Sequence, residues 1–395
     1  MKKSICIISF SPIYRDGRVL RQIKYLSQEY ALTVIGYGPP HPDWKDKPGI
    51  RWISLVRKPL TPTGKFSELI LLTLLGRLRP SFYDYWYWRR LHRRQALEYA
   101  MASPCDAFHA NDWEALPVAA EAARRHQARL VFDAHEYGPL EFEDRRYWRL
   151  LYSPAIRYIL HRYASGIDAS TTVAPLLAKR YRQEFNLNPL VVINAPEYVD
   201  LVPKKLNPDD IRLIHHGSSI RDRRLERMIE TLALCDRRYS LHFMLMDNDP
   251  SYLQYLKKLA DEVAPGRVFF HNPVAPTKVV ERISEYDMGF YLLEPTNFNN
   301  SAALPNKFFD FIMAGLAVCI GPSPSMAELV RQYGFGCVAP TFNPSDVAYM
   351  LNQLNIDQLT AMQQAAREVA RQLNANTEMG KVVELYQQLL GETRR

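Results

Sequence analysis

The sequence predicts an α/β protein with two Rossmann-like, doubly wound parallel-sheet domains facing each other across a cleft, and three observations carry that expectation. The chain has 395 residues, and single cores stop growing at roughly 250 to 300 residues, so two domains are needed. Apolar runs of strand length alternate with segments of helical spacing in both halves. A polar, proline-bearing stretch at about 195–210, with Pro203, Lys204, Lys205 and Pro208, separates the halves, and the alternation restarts after it.

Ser4 to Phe10 forms the first strand-like run, and Ser11-Pro12 breaks it before a helical pattern from Val19 to Leu26. Ala31 to Gly36 is the next strand. A strand, loop, helix and strand of these lengths make a βαβ unit, whose strands run parallel. The same grammar recurs at Ala107-Phe108-His109, the Leu116 to Arg125 helix and the Ala128 to Asp133 strand. In the second half, strands are expected at Ile211 to His215, Ser240 to Met246, Val268 to Phe270, Met288 to Leu292 and Ala317 to Ile320. Helices are expected from Leu225, over Tyr252 to Val263 and over Lys278 to Glu285. Ser345 to Leu354 and Thr360 to Leu390 read as helices, the latter with Val382, Val383, Leu385, Leu389 and Leu390 at helical spacing.

Composition narrows the function classes. A hydrophobic fraction of 47% and a charged fraction of 23% exclude disordered and fibrous proteins. Five widely spaced cysteines, mostly in apolar runs, argue for buried thiols in a reducing compartment and against a disulfide framework or metal cluster. The apolar run after Lys2-Lys3 stops at Pro12 without a cleavage site, so no signal peptide is expected. The longest other run, Leu69 to Leu75, is far short of the ~20 residues that cross a bilayer, and a cytoplasmic location follows as the expectation. The net charge of +8 is concentrated in Arg77-Leu78-Arg79 and Arg89 to Arg94, interleaved with Phe82, Tyr83, Tyr85, Trp86, Tyr87 and Trp88. Residues 77–94 thus suit peripheral contact with an anionic membrane, or else form a solvated basic helix whose aromatics pack on the domain. Scattered lysines without a recognised module argue against nucleic acid as a partner.

Ligands of open parallel sheets bind beyond the carboxyl ends of the strands, so the segments there hold the candidate residues. Arg15, Asp16 and Gly17 follow the first strand, where a glycine lets backbone approach a ligand and a helix N-terminus favours anions. There is no GxGxxG, which argues against a dinucleotide enzyme. Asp133-Ala134-His135-Glu136 places a histidine between carboxylates at a strand end, where one of them could orient it to act on substrate. His109 with Asn111, Asp112 and Trp113 is a similar, weaker case. Gly217-Ser218-Ser219 followed by Arg221, Arg223 and Arg224 suits a diphosphate, because phosphate oxygens accept from backbone amides and from guanidinium forks. Leu304-Pro305-Asn306-Lys307 opens a helix with Lys307 and Asp310 one turn apart, and Gly315 ends it. A lysine at a helix start opposes the dipole, which points to a bound anion, and Asp310 could accept two ribose hydroxyls.

Arg15 to Val19, His109 to Pro117, Asp133 to Glu136, Asn194-Ala195-Pro196, Leu304 to Val318 and Glu328-Leu329-Val330 together resemble the GT-B-fold retaining glycosyltransferases of family four, in motif order from about residue 4 to 340. The resemblance implies an acceptor-binding domain over 1–195, a nucleotide-sugar-binding domain over 211–372, and a C-terminal helix over 373–395 expected to pack back on the first domain. It implies transfer of a hexose or N-acetylhexosamine from a nucleotide-diphosphate sugar, UDP favoured, to a lipid-linked or polysaccharide acceptor. The nucleotide sugar is a co-substrate, and neither a cofactor nor a metal is expected. The implied catalytic residues are His135, Arg223 and Lys307. Gly17, Gly217, Ser218, Ser219, Leu304, Pro305, Asn306, Asp310 and Glu328 would bind donor, and Arg15, Asp16, Asp112 and Glu136 the acceptor. Asp310 matches the second acid of the family's Glu-x7-Glu motif, but the first acidic position is Ala302.

Overall fold

In the computed structural model, which describes residues 2–56, 61–201 and 205–391, the chain divides into two compact units. Residues 202–204 of the expected linker, together with residues 1, 57–60 and 392–395, lie outside the described residues. The first unit comprises 1–193, 297–299 and 379–395, and the second 194–296 and 300–378.

The first unit is built on seven parallel strands: β1 (Ser4–Pro12), β2 (Ala31–Tyr37), β3 (Ile50–Leu55), β4 (Ala107–Asn111), β5 (Arg129–Ala134), β6 (Ala169–Thr172) and β7 (Leu190–Val191), in the order β3-β2-β1-β4-β5-β6-β7. Its order reverses between β1 and β4, where Ile5 pairs with Ala107 and Ile7 with His109. The second unit has six: β8 (Ile211–Ser218), β9 (Tyr239–Met246), β10 (Val268–His271), β11 (Met288–Tyr291), β12 (Ala317–Ile320) and β13 (Gly336–Val338), in the order β10-β9-β8-β11-β12-β13. Here the reversal falls between β8 and β11. Strand segments buried on both faces are apolar, as are Ile5 to Ile8 of β1 and all of β12, Ala317 to Ile320, which are fully enclosed. β3, β6, β7 and β13 are additions to the strands expected from sequence. Ala-Ser-Thr-Thr of β6 gives no apolar signal, yet Thr171 and Thr172 are buried with their hydroxyls donating to Asp133 Oδ1 and Ala134 O.

The expected Lys278 to Glu285 helix is shorter, Val279–Ile283, because Pro276 starts a separate 3-10 turn, Pro276–Lys278. Thr360 to Leu390 splits into the helices Ile356–Gln372 and Ala375–Gly391. Asn374 makes the break: its amide donates to Ala370 O and Arg371 O while its Oδ1 accepts from Thr377 N. Met379, Val382 and Tyr386 of the last helix lie in the core of the first unit with Ile5, Val19 and Ile23. All five cysteines are free thiols, with Cys6, Cys235 and Cys319 buried and Cys105 and Cys337 half-buried. Among the described residues no helix is long and apolar enough to cross a membrane.

Candidate functional site

Two polar clusters lie at carboxyl ends of strands, one in each unit, and in open parallel sheets such positions bind ligands. In the second unit, β8 delivers His215, His216 and Gly217, β11 ends on Tyr291, and the helix Asn306–Met313 presents Lys307 and Asp310. Lys307 Nζ lies 3.2 Å from His215 Nε2 and 4.5 Å from the centroid of the Tyr291 ring. His215 Nδ1 lies 2.9 Å from Phe290 O, so that nitrogen carries the proton and Nε2 accepts from the lysine. Arg223, in the turn Arg221–Arg223, donates from Nη1 to Tyr291 Oη at 3.4 Å. Two cations therefore converge on one aromatic.

Their mutual repulsion is visible in the titration. Burial and then the Arg223 charge push Lys307 down to about 7, with Asp310 pulling the other way. Burial and Lys307 likewise hold His215 well below its usual value and His216 down to about 3. His216 is thus neutral, and its Nε2 lies 3.4 Å from Asp310 Oδ2. The neighbouring arginines are neutralised: Arg221 by Asp249, Arg224 and Arg227 by Glu294. Among the described residues, Arg223 has no such carboxylate. Arg223 and a half-charged Lys307 are thus offset only in part by Asp310, which leaves the cluster suited to an anion.

In the first unit, Asp133 at the end of β5 is a fully buried hub. Arg18 clasps it bidentately, Nε to Oδ2 at 2.7 Å and Nη2 to Oδ1 at 2.6 Å, and donates from Nη1 to Val192 O. Gln22 and Thr171 donate to the same carboxylate. Burial alone would raise Asp133, but Arg18 and His135 hold it well below the carboxylate range. His135 Nε2 is 2.9 Å from Asp133 Oδ2, and Nδ1 is 3.2 Å from Asp112 Oδ2. Burial works against its proton, yet Asp112 and Asp133 raise it well above the usual histidine value. His135 is therefore an imidazolium with both nitrogens bonded to carboxylates. Asp112 takes a left-handed backbone, φ 62°, and accepts from His135 N, so the loop is held in a strained form by the group it contacts. Next to it lies a cavity of about 270 Å³, lined among others by Asn111, Asp112, Trp113, His135, Glu136 and Glu141. Burial, then Glu136, Asp112 and Glu114, push Glu141 up to about 8, so it is protonated at neutral pH.

No known family model matches the chain, and no curated protein matches it in sequence. Solved structures do match. Sucrose-phosphate synthase from Thermosynechococcus elongatus is similar with a TM-score of 0.73 at 14% identity, covering 99% of this chain and 100% of that one. Anabaena HepE in complex with UDP-glucose gives 0.69 at 14% identity over 98% of this chain and 99% of its own. A glycosyltransferase from Rickettsia africae gives 0.69 at 12% identity over 99% and 100%. The chain has the GT-B glycosyltransferase fold.

On this GT-B frame the residues singled out in the sequence fall into three groups. Lys307, Arg223, Gly217 and Asp310 come together. Gly217 has φ 123°, and a Cβ there would sit 3.0 Å from Lys307 Nζ, so the glycine leaves room for the lysine. Ser218 ends β8 half-buried, and Leu304 and Pro305 lead into the helix at which Asn306 is exposed. The second group is engaged internally. Ser219 is fully buried, donating to Met246 O and accepting from Asn248 N and Asp249 N, so its hydroxyl joins two strand ends and is not offered to a donor. Asp16 caps the helix Gly17–Glu29 by accepting from Arg18 N and Val19 N, so that helix start is already occupied by a carboxylate. Gly17 is its first residue, with only Arg21 near a would-be Cβ, and Arg15 stacks on Tyr14 at 5.1 Å. His135 is engaged through both nitrogens, which removes it as a general base. The third group, Glu136 and Glu328, is exposed on the surface of its own unit, Glu328 in the helix Pro324–Tyr333.

Residues 77–94 are divided between surface and core: Arg77, Leu78, Arg79, Tyr85 and Arg94 are exposed, and the rest of the aromatic stretch largely turns inward. Tyr83, Trp86 and Tyr87 are buried, Arg93 stacks over Tyr87 at 4.3 Å while pairing with Glu114, and Arg90 pairs with Glu68. The alternative of aromatics packing on the domain holds for these. Sequence reasoning missed Arg18, Tyr291, His215 and Glu141 as site residues. Arg18 and Gln22, four apart on one helix face, gave the available signal; nothing local marks Tyr291 as the platform for two cations.

Proposed function

We propose that the chain is a glycosyltransferase that moves a hexose or N-acetylhexosamine from a nucleotide-diphosphate sugar to a lipid-linked or polysaccharide acceptor, with retention of configuration and without a metal. The convergence of Lys307 and Arg223 on Tyr291 carries the reading. UDP is favoured because HepE, of the same fold, was solved with UDP-glucose. As the glycosyl–phosphate bond breaks, negative charge grows on the departing diphosphate, and fixed cations aimed at it stabilise the transition state more than the ground state. Arg223 holds that charge permanently, and Lys307 becomes fully charged once an anion offsets its neighbour. The backbone at Gly217 and Ser218 and the segment Leu304 to Asn306 border the phosphates, Asp310 accepts from the ribose, and Glu328 completes the donor contacts. In the first unit, Arg15, Asp16, Asp112 and Glu136 meet the acceptor, and the His135 imidazolium orients Asp112 rather than removing a proton. Release of UDP from a panel of UDP-sugars tests this: Arg223→Ala and Lys307→Ala should each lower turnover on the order of 100-fold, and EDTA should leave it unchanged. Unaltered turnover in both variants would overturn the assignment.

A second reading, a GT-B-like protein that binds nucleotide sugar without turnover, is favoured by Ala302, which is fully buried at the first acidic position of the Glu-x7-Glu motif. A wild-type protein that binds UDP-sugar yet neither hydrolyses nor transfers it would select this reading.

A further inference from the structure

The helix Pro62–Ile70 runs on through the π-helical turn Leu71–Leu75 to Leu78, and it is apolar on two sides. One side, with Leu71, Leu72 and Gly76, is buried in the first unit. The other exposes Phe66 (65%), Leu69 (45%), Leu74 (61%) and Leu78 (77%), at a spacing that keeps them on a single stripe. A second π-helical turn, Trp148–Tyr152, packs against Leu71–Leu75, and Arg77 Nη2 donates to Leu150 O at 3.2 Å. That turn adds Leu150, and the residue before it Tyr147, both about half exposed. Five exposed arginines, Arg77, Arg79, Arg145, Arg146 and Arg149, accompany the stripe, against Asp144 as the exposed carboxylate among them. A contiguous apolar surface of this kind costs free energy in water and marks an interaction site.

We infer that this stripe docks on an anionic lipid bilayer, with Phe66, Leu69, Leu74, Leu78 and Leu150 entering the headgroup–acyl boundary and the arginines pairing with lipid phosphates. Charge complementarity decides the occupant. A symmetric contact with a second copy would set the same five guanidiniums against one another, whereas an anionic surface neutralises them. Tyr147 has the amphipathic character of interfacial aromatics. The surface does not include Lys307, Arg223 or the Asp133 cluster, so it stands independently of the proposed transfer reaction.

Co-sedimentation with vesicles of phosphatidylcholine alone and with a third phosphatidylserine tests it on the full chain. The expected result is binding to the anionic vesicles only, weakened about fivefold for each arginine replaced in Arg145→Gln and Arg146→Gln, and abolished in Leu74→Glu/Leu78→Glu. Because these four positions are exposed, thermal unfolding of the variants should match wild type, and release of UDP from soluble UDP-sugar should be unchanged. Equal sedimentation with both vesicle types, none with either, or a concentration-dependent dimer that Leu74→Glu/Leu78→Glu dissolves would each overturn the inference.

Discussion

Lys307 makes the proposed anion site measurable through protons. In the empty site its amine titrates at about 7, so at pH 7 about half the molecules carry the charge, and at pH 8 about one in eleven. A nucleotide sugar brings a diphosphate diester that stays doubly anionic across the neutral range. Contact with it outweighs the Arg223 repulsion and returns the lysine toward its ordinary value of 10.5. Binding should therefore take up about half a proton at pH 7 and about 0.9 at pH 8, with affinity falling about fivefold between the two. Isothermal titration of UDP-glucose in buffers of different ionisation enthalpy reads the proton count as the slope of observed heat against buffer heat. A slope of zero, proton release, or the same slope in Lys307→Met would refute the placement of the diphosphate at this lysine. The same group sets a stability trend. Its folded value lies below the unfolded one, so between pH 7 and 10.5 the unfolded chain binds more protons, and the empty protein gains stability as pH rises through that window. Saturating ligand should flatten that rise.

Gly217→Ala places a methyl group 3.0 Å from Lys307 Nζ on a backbone at φ 123°, and the thermal shift produced by UDP-glucose should shrink in the variant while its far-ultraviolet dichroism is retained. Asp133→Asn leaves the Arg18 guanidinium buried without its counter-charge and should cost about 3–5 kcal/mol in urea unfolding; a loss under about 1 kcal/mol would mean the hub is not what holds Arg18. Glu141 is raised to about 8 against 4.5 in the unfolded chain, so the folded state binds the extra proton between these values and stability falls as pH climbs from 4.5 to 8. Glu141→Gln should therefore raise the melting temperature more at pH 8 than at pH 5, and an equal change at both would contradict a buried, protonated carboxyl.

The chain's alternation of apolar runs and helical spacing was sufficient to give two parallel-sheet units, because strand burial and helix period are local properties that a few consecutive residues display. The short strands escaped for the complementary reason. β6 is Ala-Ser-Thr-Thr, polar in sequence and buried only because the hydroxyls of Thr171 and Thr172 find Asp133 and Ala134 across the sheet. Position along the chain also marked the ends of β5 and β8 as places where chemistry would gather, since any side chain just past a parallel strand reaches the ligand edge. The helix opened by Pro305 and closed by Gly315 was legible for the same reason: Gly315, at φ 69°, lets Leu316 N return to Phe311 O.

Which charges remain available for a ligand was decided only by tertiary contacts between residues far apart in sequence. Arg18 and Asp133 are 115 residues apart, and their pairing fixes His135 as a bonded cation rather than a base. Lys307 and His215 are 92 apart, and only their meeting over Tyr291, beside Arg223, brings the lysine's titration down to about 7. Residues 77–94 looked superficial because arginine and aromatic side chains alternate there, yet Arg93 lies inside against Tyr87 and Glu114, and the exposed apolar stripe begins upstream at Phe66 and shares only its end, at Leu78, with that segment. Sequence fixes what a residue can do and on which element it stands; whether its charge is already satisfied depends on a partner that folding brings from elsewhere in the chain.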